Sequence, residues 1–593
     1  MQEVKDITIR LGAAAGDGIQ SAGEILAKLL SRSGTYISTF NGNQSAIRGG
    51  HVWFHVHAGT HPVYSMGYGV DYLLPFTQLA YDEHYSSVNK GGIIIYDPSA
   101  VTARDLGADI SQIKSPFLAT ALKYDKYPIM KNTVAVAEVA ALIGLGFDVV
   151  EETITSQFAK KPEIAKKNVE AAKEGYGFGV QAGVRKALKY SDKRLPFLHA
   201  NYTFSIGAVA AGCRFYAAYP MSPASPIVHW MTAHAKKLGI TVFLGEDEIS
   251  VMNATIGAAH AGARAMCATS GGGFALMQEA VGEAAMTETP VVVVNVMRTG
   301  PSTGLPTKTS QGDLNMMLGI SQDDFPRAIF APRNAPDAYD IAVRSFDIAE
   351  RYQIPVMVLL DFQIADGGYM TIDHDFKPVD INRGKLLNSD GTDKELHNGT
   401  WFRRYQLTPD NISPRSLPGT PDMMYVAKTD EHDEWGHDLS DVLAGLKESV
   451  LMREKMQEKR MKKMEQLKAE MKAPELVGQT KADLTIVSWG SSANPVREAM
   501  EVMNSSGLKI NALEFSDIYP LNTQAIVPLL KSAERLMIVE ANYTSQFGGL
   551  LRKEIGIDIK DALLKYNGEP IYPVEVERMV RNIMVKEVES HVH

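Results

Sequence analysis

Two patterns of apolar positions recur along the chain: short apolar runs of strand length, and longer stretches with a helical period. Ile7, Ile9 and Leu11 alternate with polar neighbours and lead into the glycine loop Gly12–Gly18. A helix is expected from there to about Ser33, so the chain opens as strand, glycine loop and helix, the start of an α/β unit. HVWFHVH at 51–57 and GGIIIYDP at 91–98 predict further strands. After residue 200 the runs VVVVNV (291–296) and IPVMVLLD (354–361) are almost wholly apolar, with predicted helices at 249–260 and 274–286 before them. Continuous apolar strands separated by helices predict a parallel sheet covered on both faces. Residues 368–441 are rich in Pro, Gly, Asp and Asn and predict long loops. A charged, Met-rich helix is expected over 442–472, with Met464, Leu467 and Met471 at three- and four-residue spacing and Pro474 behind it. Such a stripe predicts a packed connecting helix. Strands return at 484–488, 510–515 and 536–540. The expected fold class is α/β, with several doubly wound parallel-sheet domains. The expected divisions are 1–190, 200–440 with a loop-rich extension, a linker helix at 441–478, and 480–593.

Composition narrows the function classes. With 593 residues, 45% of them hydrophobic and 22% charged, the chain has the make-up of a globular protein of several domains. A net charge of −9 provides no basic field for nucleic acid or an anionic membrane. No stretch is apolar for long enough to span a bilayer, and no basic start with an apolar run behind it marks a secretory signal. The expected location is therefore cytoplasmic. The chain has two cysteines, Cys213 and Cys267, both in apolar surroundings and both expected as buried small hydrophobes. An iron–sulfur cluster takes about four thiolates, so this chain cannot hold one alone.

The residues with chemical promise lie between Tyr219 and Leu314. YPMSPASP places three prolines in eight residues, which stiffens the loop and fixes the direction of Ser222. Glu246, Asp247 and Glu248 precede an apolar helix. Acidic residues at a helix start complement its dipole, which accounts for Glu246 and Asp247. Glu248 is followed by Ile249 and Val251, both expected on the buried side, and so is expected to point inward. A buried carboxylate is costly unless it is paired or protonated. Arg298 ends the strand VVVVNVM and faces TGPSTGLPT, a position that suits either a bidentate grip on a carboxylate or a structural salt bridge.

The stretches ATSGGGFALMQEA, ETPVVVVNVMRTGPSTGLPTK and QGDL, with GEDEISVMNATIGAAHAG, are contiguous and long. Together with ISPRSLPG (412–419) and VEANYTSQFGGLLR (539–552), they resemble the α subunit of the 2-oxoacid:ferredoxin oxidoreductases. GAAAGDGIQSAGEILAKLL and SAIRGGHVWF resemble that family's γ domain, fused here at the N-terminus. The resemblance implies a γ-type domain, a domain binding the pyrimidine of thiamin diphosphate, and a transketolase C-terminal-like domain. It makes Glu248 the acid that hydrogen-bonds the pyrimidine ring, with Glu246 as the alternative, and places Pro220 beside the cofactor. It assigns Ser222, Arg298 and Thr307 to the 2-oxoacid; the family usually has threonine where Ser222 stands.

The resemblance further implies oxidative decarboxylation of a 2-oxoacid with coenzyme A, giving acyl-CoA, CO₂ and reduced ferredoxin. Mg²⁺ and a [4Fe–4S] cluster are expected on a separate β subunit, in a dimer of αβ heterodimers. The fused architecture favours 2-oxoglutarate, while Arg298 would accept any 2-oxoacid carboxylate. Two other readings centre on the first glycine loop. Asp17 with Asn41 and Asn43 imitates a Mg²⁺–diphosphate motif, which would make the chain a complete decarboxylase or transketolase-like enzyme. The loop read as a dinucleotide site would make it a non-catalytic electron-carrier module, but its spacing departs from G-x-G-x-x-G. A structural turn is the expectation adopted here.

Overall fold

A computed structural model describes residues 2–44, 50–387, 401–439 and 447–590. Residues 45–49 of the SAIRGG motif and the expected start of the charged helix at 442–446 lie outside the described residues. The fold is α/β and is built on three large sheets. The first has eight strands and is mixed. Ser111–Lys114, Val88–Tyr96, Val70–Pro75 and Asp6–Ala14 run parallel, and from His51–Gly59 onward the pairing is antiparallel. Its outer strands come from elsewhere in the chain: Met370–Thr371 pairs with Tyr36–Gly42 and with Phe197–Leu198. The segment read as a loop after residue 368 thus extends the first sheet.

The second sheet has seven strands, in the order Thr241–Leu244, Cys213–Ala218, Arg264–Thr269, Val291–Met297, Pro355–Asp361, Ala328–Phe330, Asp517–Tyr519. All neighbours are parallel except the last pair. Val291–Met297 is buried along its whole length, as an interior parallel strand requires. The helix expected at 274–286 is two helices, Gly271–Leu276 and Gln278–Met286, meeting at Met277. The third sheet has five strands from residues 475–564, four of them mutually parallel.

One apolar core runs from the second unit into the third. Met252, Phe274, Val281 and Val293 share it with Trp489, Phe515, Ile538 and Phe547. The other face of the central sheet packs on the helices Ala200–Ala210, Ser225–Leu238 and Ala335–Tyr352. The charged helix, Lys447–Glu470, puts Leu467 into that core with Met464 packed against it, as its stripe predicts. It also buries Lys459 and Lys463, one turn apart, which both grip the buried carboxylate of Glu288. Burial alone would raise the Glu288 pKa, but the two ammonium groups hold it well below the usual range.

A second buried pair ties the first unit to the third. Glu498 accepts from the backbone N–H of Tyr64 at 2.7 Å and of Ser65 at 2.8 Å, and from the Ser65 hydroxyl. The His57 ring lies 3.5 Å from Glu498 and 3.5 Å from Asp6. Burial opposes charge on both groups, but each partner's charge outweighs it: Glu498 is lowered and His57 is raised. The lowered carboxyl contributes stability above its unfolded value near ~4.3, and the contribution is lost as pH falls through the folded value. The raised imidazole contributes fully below about 6.5, and its share is lost progressively as pH climbs through the folded value. The tie is therefore strongest between roughly pH 4.3 and 6.5. Glu498→Gln leaves a buried imidazolium with less compensation, and we expect a loss of about 3 kcal/mol in that window. Thermal melting should show a wild-type-to-variant gap that is full at about pH 6 and narrows progressively toward about 10, where His57 loses its proton in the folded protein. An equal gap at both pH values would show that the pair is not ionised in the folded protein.

Candidate active site

The central sheet brings three polar elements to the carboxyl ends of its strands, where parallel α/β sheets form ligand crevices. The first is the proline loop after Cys213–Ala218. Asn201 donates to the Pro223 carbonyl at 2.9 Å and the Ala224 N–H to Met221 at 2.8 Å, so the loop is held from below while Tyr219, Pro220 and Ser222 stay exposed. The second is the start of the helix Glu248–His260. Asp247 is its N-cap, accepting from Ser250 N at 2.7 Å, and the Ser250 hydroxyl returns the contact to Asp247. Glu246 is exposed. The three adjacent acids therefore have different surroundings: one in solvent, one capping, one buried.

Glu248 is 3% exposed, and its Oε1 has no hydrogen-bond partner among the described residues. A Cβ at Gly273 would lie 2.6 Å from that oxygen, so only glycine lets the turn pass so close. Ile249 does not share this orientation. It is 49% exposed, contrary to expectation, because at the first helical turn successive side chains diverge by about 100° and only Val251 faces the core.

The third element is Arg298 at the end of Val291–Met297. Its Nη1 donates to the Ser222 carbonyl at 2.8 Å, which joins two of the expected site residues directly. Its Nε is buried and finds no acceptor among the described residues. Burial lowers its pKa, with the charge of Asp313 acting the other way. Thr307 is held differently: its hydroxyl donates to the Asn43 carbonyl of the first unit at 3.0 Å. The structure thus pairs Ser222 with Arg298 and ties Thr307 to the first unit.

A cleft of about 810 Å³ runs from Arg298 between the second and third units. Gly271, Gly272 and Asp313 line one side, and Asn542, Tyr543 and Tyr566 the other. Asp313 has no role in the sequence reading, where it was one letter of QGDL; burial raises its pKa. A buried asparagine in an otherwise apolar strand, Asn295, is the sequence signal that marks it, for Asn295 donates to Asp313 at 2.8 Å. Large apolar side chains stand exposed on the elements of the site: Leu244 at 60%, with Leu276, Leu305 and Ile249.

The groups behind the alternative readings are engaged elsewhere. The Asp17 carboxylate pairs with Lys131 at 3.1 Å, and its carbonyl accepts from Asn132 at 2.6 Å. The Asn43 carbonyl is the one that holds Thr307. Cys213 and Cys267 are buried and unpaired, and burial pushes both thiols up to about 12, as inert core residues require.

Comparison with known proteins places all three units in known families. Residues 206–442 match the family described as pyruvate flavodoxin/ferredoxin oxidoreductase, thiamine diP-bdg, and residues 8–178 match pyruvate ferredoxin/flavodoxin oxidoreductase. Residues 475–555 match the transketolase C-terminal domain. The α subunit of 2-oxoacid:ferredoxin oxidoreductase 2 from Aeropyrum pernix is 30% identical over 98% of both chains. Subunit KorA of the 2-oxoglutarate oxidoreductase from Mycobacterium tuberculosis is 26% identical over 98% of this chain and 92% of its own. Among solved structures, 2-oxoglutarate:ferredoxin oxidoreductase from Magnetococcus marinus, with 2-oxoglutarate, coenzyme A and succinyl-CoA bound, superposes with a TM-score of 0.89. It is 30% identical and the match covers 98% of this chain and 99% of that one. The likeness runs the whole length of the chain, which belongs to the 2-oxoacid:ferredoxin oxidoreductase family, as an α subunit with the γ-type unit fused at its N-terminus.

Proposed function

We propose that this chain is the α subunit of an enzyme that oxidatively decarboxylates 2-oxoglutarate with coenzyme A. The products are succinyl-CoA and CO₂, and two electrons pass to ferredoxin. The observation that carries the reading is the unpartnered buried Oε1 of Glu248. A polar atom so placed is expensive unless a ligand completes it, and the pyrimidine ring nitrogen of thiamin diphosphate is such a ligand. When bound, the cofactor supplies the nucleophilic carbon and the electron sink for decarboxylation. Glu248 orients the pyrimidine and moves a proton at its ring nitrogen. Pro220 and its neighbours shape the loop beside it. Arg298 turns its free Nε edge to the 2-oxoacid carboxylate, steadied by the Ser222 carbonyl; the Ser222 hydroxyl flanks the keto group, and Thr307 joins it by exchanging its bond to the Asn43 carbonyl for one to substrate. The choice of 2-oxoglutarate draws on what the Magnetococcus marinus protein and the KorA relatives are named for.

The rest of the site is assigned to a β subunit, which would bring the diphosphate-binding Mg²⁺ and the [4Fe–4S] cluster. Two inert thiols are too few for a cluster, and Leu244, Leu276 and Leu305 stand exposed on the elements of the site, where a partner would cover them. A dimer of αβ heterodimers working in the cytoplasm fits this division. Asp17, committed to Lys131, supports it over a complete single-chain enzyme.

Purified alone, the chain should hold no iron and turn over no 2-oxoacid; with a cysteine-rich β subunit it should give a brown, active complex. Iron and activity in this polypeptide alone would overturn the division of labour. In that complex, Glu248→Gln should abolish hydrogen–deuterium exchange at the thiazolium carbon, and Glu246→Gln should leave it near normal. The reverse pattern would make Glu246 the acid. Arg298→Ala should lower kcat/KM for 2-oxoglutarate by about 10- to 150-fold, the loss of one charged hydrogen-bonding partner, chiefly through KM. Unchanged kinetics would make Arg298 structural.

A further inference from the structure

Asp313 immediately precedes the short helix Leu314–Leu318, where an aspartate would ordinarily cap. It does not: its side chain makes no capping hydrogen bond, and Oδ2 accepts instead from Asn295 Nδ2 at 2.8 Å. Asn295 is fully buried in the apolar strand Val291–Met297, with its own Oδ1 unpartnered. From the other side the backbone of Gly271 closes on the carboxyl, for a Cβ there would lie 2.6 Å from Oδ2 and 3.1 Å from Oδ1. The group is thus clamped in the cleft wall, with Oδ1 free of hydrogen bonds among the described residues.

Arg298 and Asp313 are the two charged side chains among the residues lining this cleft. The phenols of Tyr543 and Tyr566 face them from the third unit. Gln546, from the helix Gln546–Ile555, bonds the Gly312 carbonyl and Asn315 N–H, and is neutral. Glu248 lies behind Gly273, Glu540 is consumed by donors within its own unit, and Lys308 pairs with Glu569. No ion pair joins Arg298 to Asp313 within 4.0 Å, so each charge balances the other across the cleft without occupying its hydrogen bonds.

We infer that Asp313 is a positioning residue that balances the charge of Arg298 until the 2-oxoacid arrives, and then takes one proton from solvent onto Oδ1, so that substrate binding and proton uptake are coupled. The inference rests on Arg298 receiving the substrate carboxylate. Arg298 and Asp313 balance each other in the empty cleft; a substrate carboxylate seated on Arg298 sets a second anion beside Asp313, and a proton on Asp313 relieves that local repulsion whatever further charge the substrate carries elsewhere. Burial already raises the Asp313 pKa, while Asn295 and the charge of Arg298 oppose the rise. A substrate carboxylate on Arg298 weakens the second of these and adds repulsion, so both changes favour the protonated acid. Asn295 still has Oδ2 to donate to, and the carboxyl stays in place.

The test is the pH dependence of kcat/KM for the 2-oxoacid in the assembled enzyme, between about pH 5.5 and 9. For the wild type we expect kcat/KM to fall as pH rises, by up to about tenfold per pH unit while Asp313 is ionised in the free enzyme and must gain a proton to receive substrate. Asp313→Asn, which keeps the acceptor for Asn295, should lose that fall and hold the acid-side value, with kcat changed by less than about threefold. Asp313→Ser should give the same flat profile if it assembles. An Asp313→Asn enzyme that keeps the wild-type fall, or that loses kcat/KM equally at every pH, overturns the proposal alone. Arg298→Ala with unchanged kcat/KM overturns the carboxylate reading and this proposal with it.

Discussion

Gln311 uses its side chain and backbone to lock the second unit to the third. Its Nε2 donates to the Trp489 carbonyl at 2.7 Å, and its Oε1 accepts from Ser492 at 2.8 Å and from the Ala541 N–H at 2.9 Å. Its backbone N–H bonds Ala541, and its carbonyl accepts from Asn542. All of this is enclosed by the apolar core the two units share, so none of these bonds can be exchanged for water without opening the interface. Two residues further on is Asp313, and one residue beyond Ala541 begins the wall carrying Tyr543. The cleft therefore inherits its width from a buried polar joint.

The same logic governs the buried charges. Glu288 meets two lysines, Glu498 a histidine and two backbone amides, and Glu350 meets Arg264 at 2.8 Å together with Arg415. Each spans segments distant in sequence, and each is compensated where it lies. Such pairs add little net stability over apolar packing, but removing one partner is costly, and so they specify which surfaces meet. Glu248 breaks the pattern. Its unpartnered oxygen is held against a glycine turn in the site itself, where local rules are broken for a ligand's sake.

The three acids Glu246, Asp247 and Glu248 show how far a sequence carries. Helix-start chemistry anticipated Asp247 as a local group, and burial of Val251 anticipated the inward turn of Glu248. Ile249 fell the other way because successive side chains of a helix diverge by about 100°, so the residue next to a buried one points elsewhere. The pairing of Ser222 with Arg298 joined residues far apart in the chain, and was expected through likeness to a family, with no local signal behind it.

Strand-length apolar runs, helix caps and the scarcity of cysteine are local or additive properties, so the sequence by itself determined the α/β class, the order of most elements and the lack of thiolates for a cluster. What lay with the tertiary structure was set by contacts between distant segments. Asp313 is one letter of a motif in the sequence, and only the fold shows Asn295 and Gly271 holding it in a cleft wall. Lys459 and Lys463 carry no mark in the sequence that sets them apart from the other charges of their helix, and only the fold places Glu288 between them. Met370–Thr371 reads as loop until it completes the first sheet. A side chain's charge and shape are written in one letter, but its desolvation and its partner are supplied by the rest of the fold, and those decide what the group does.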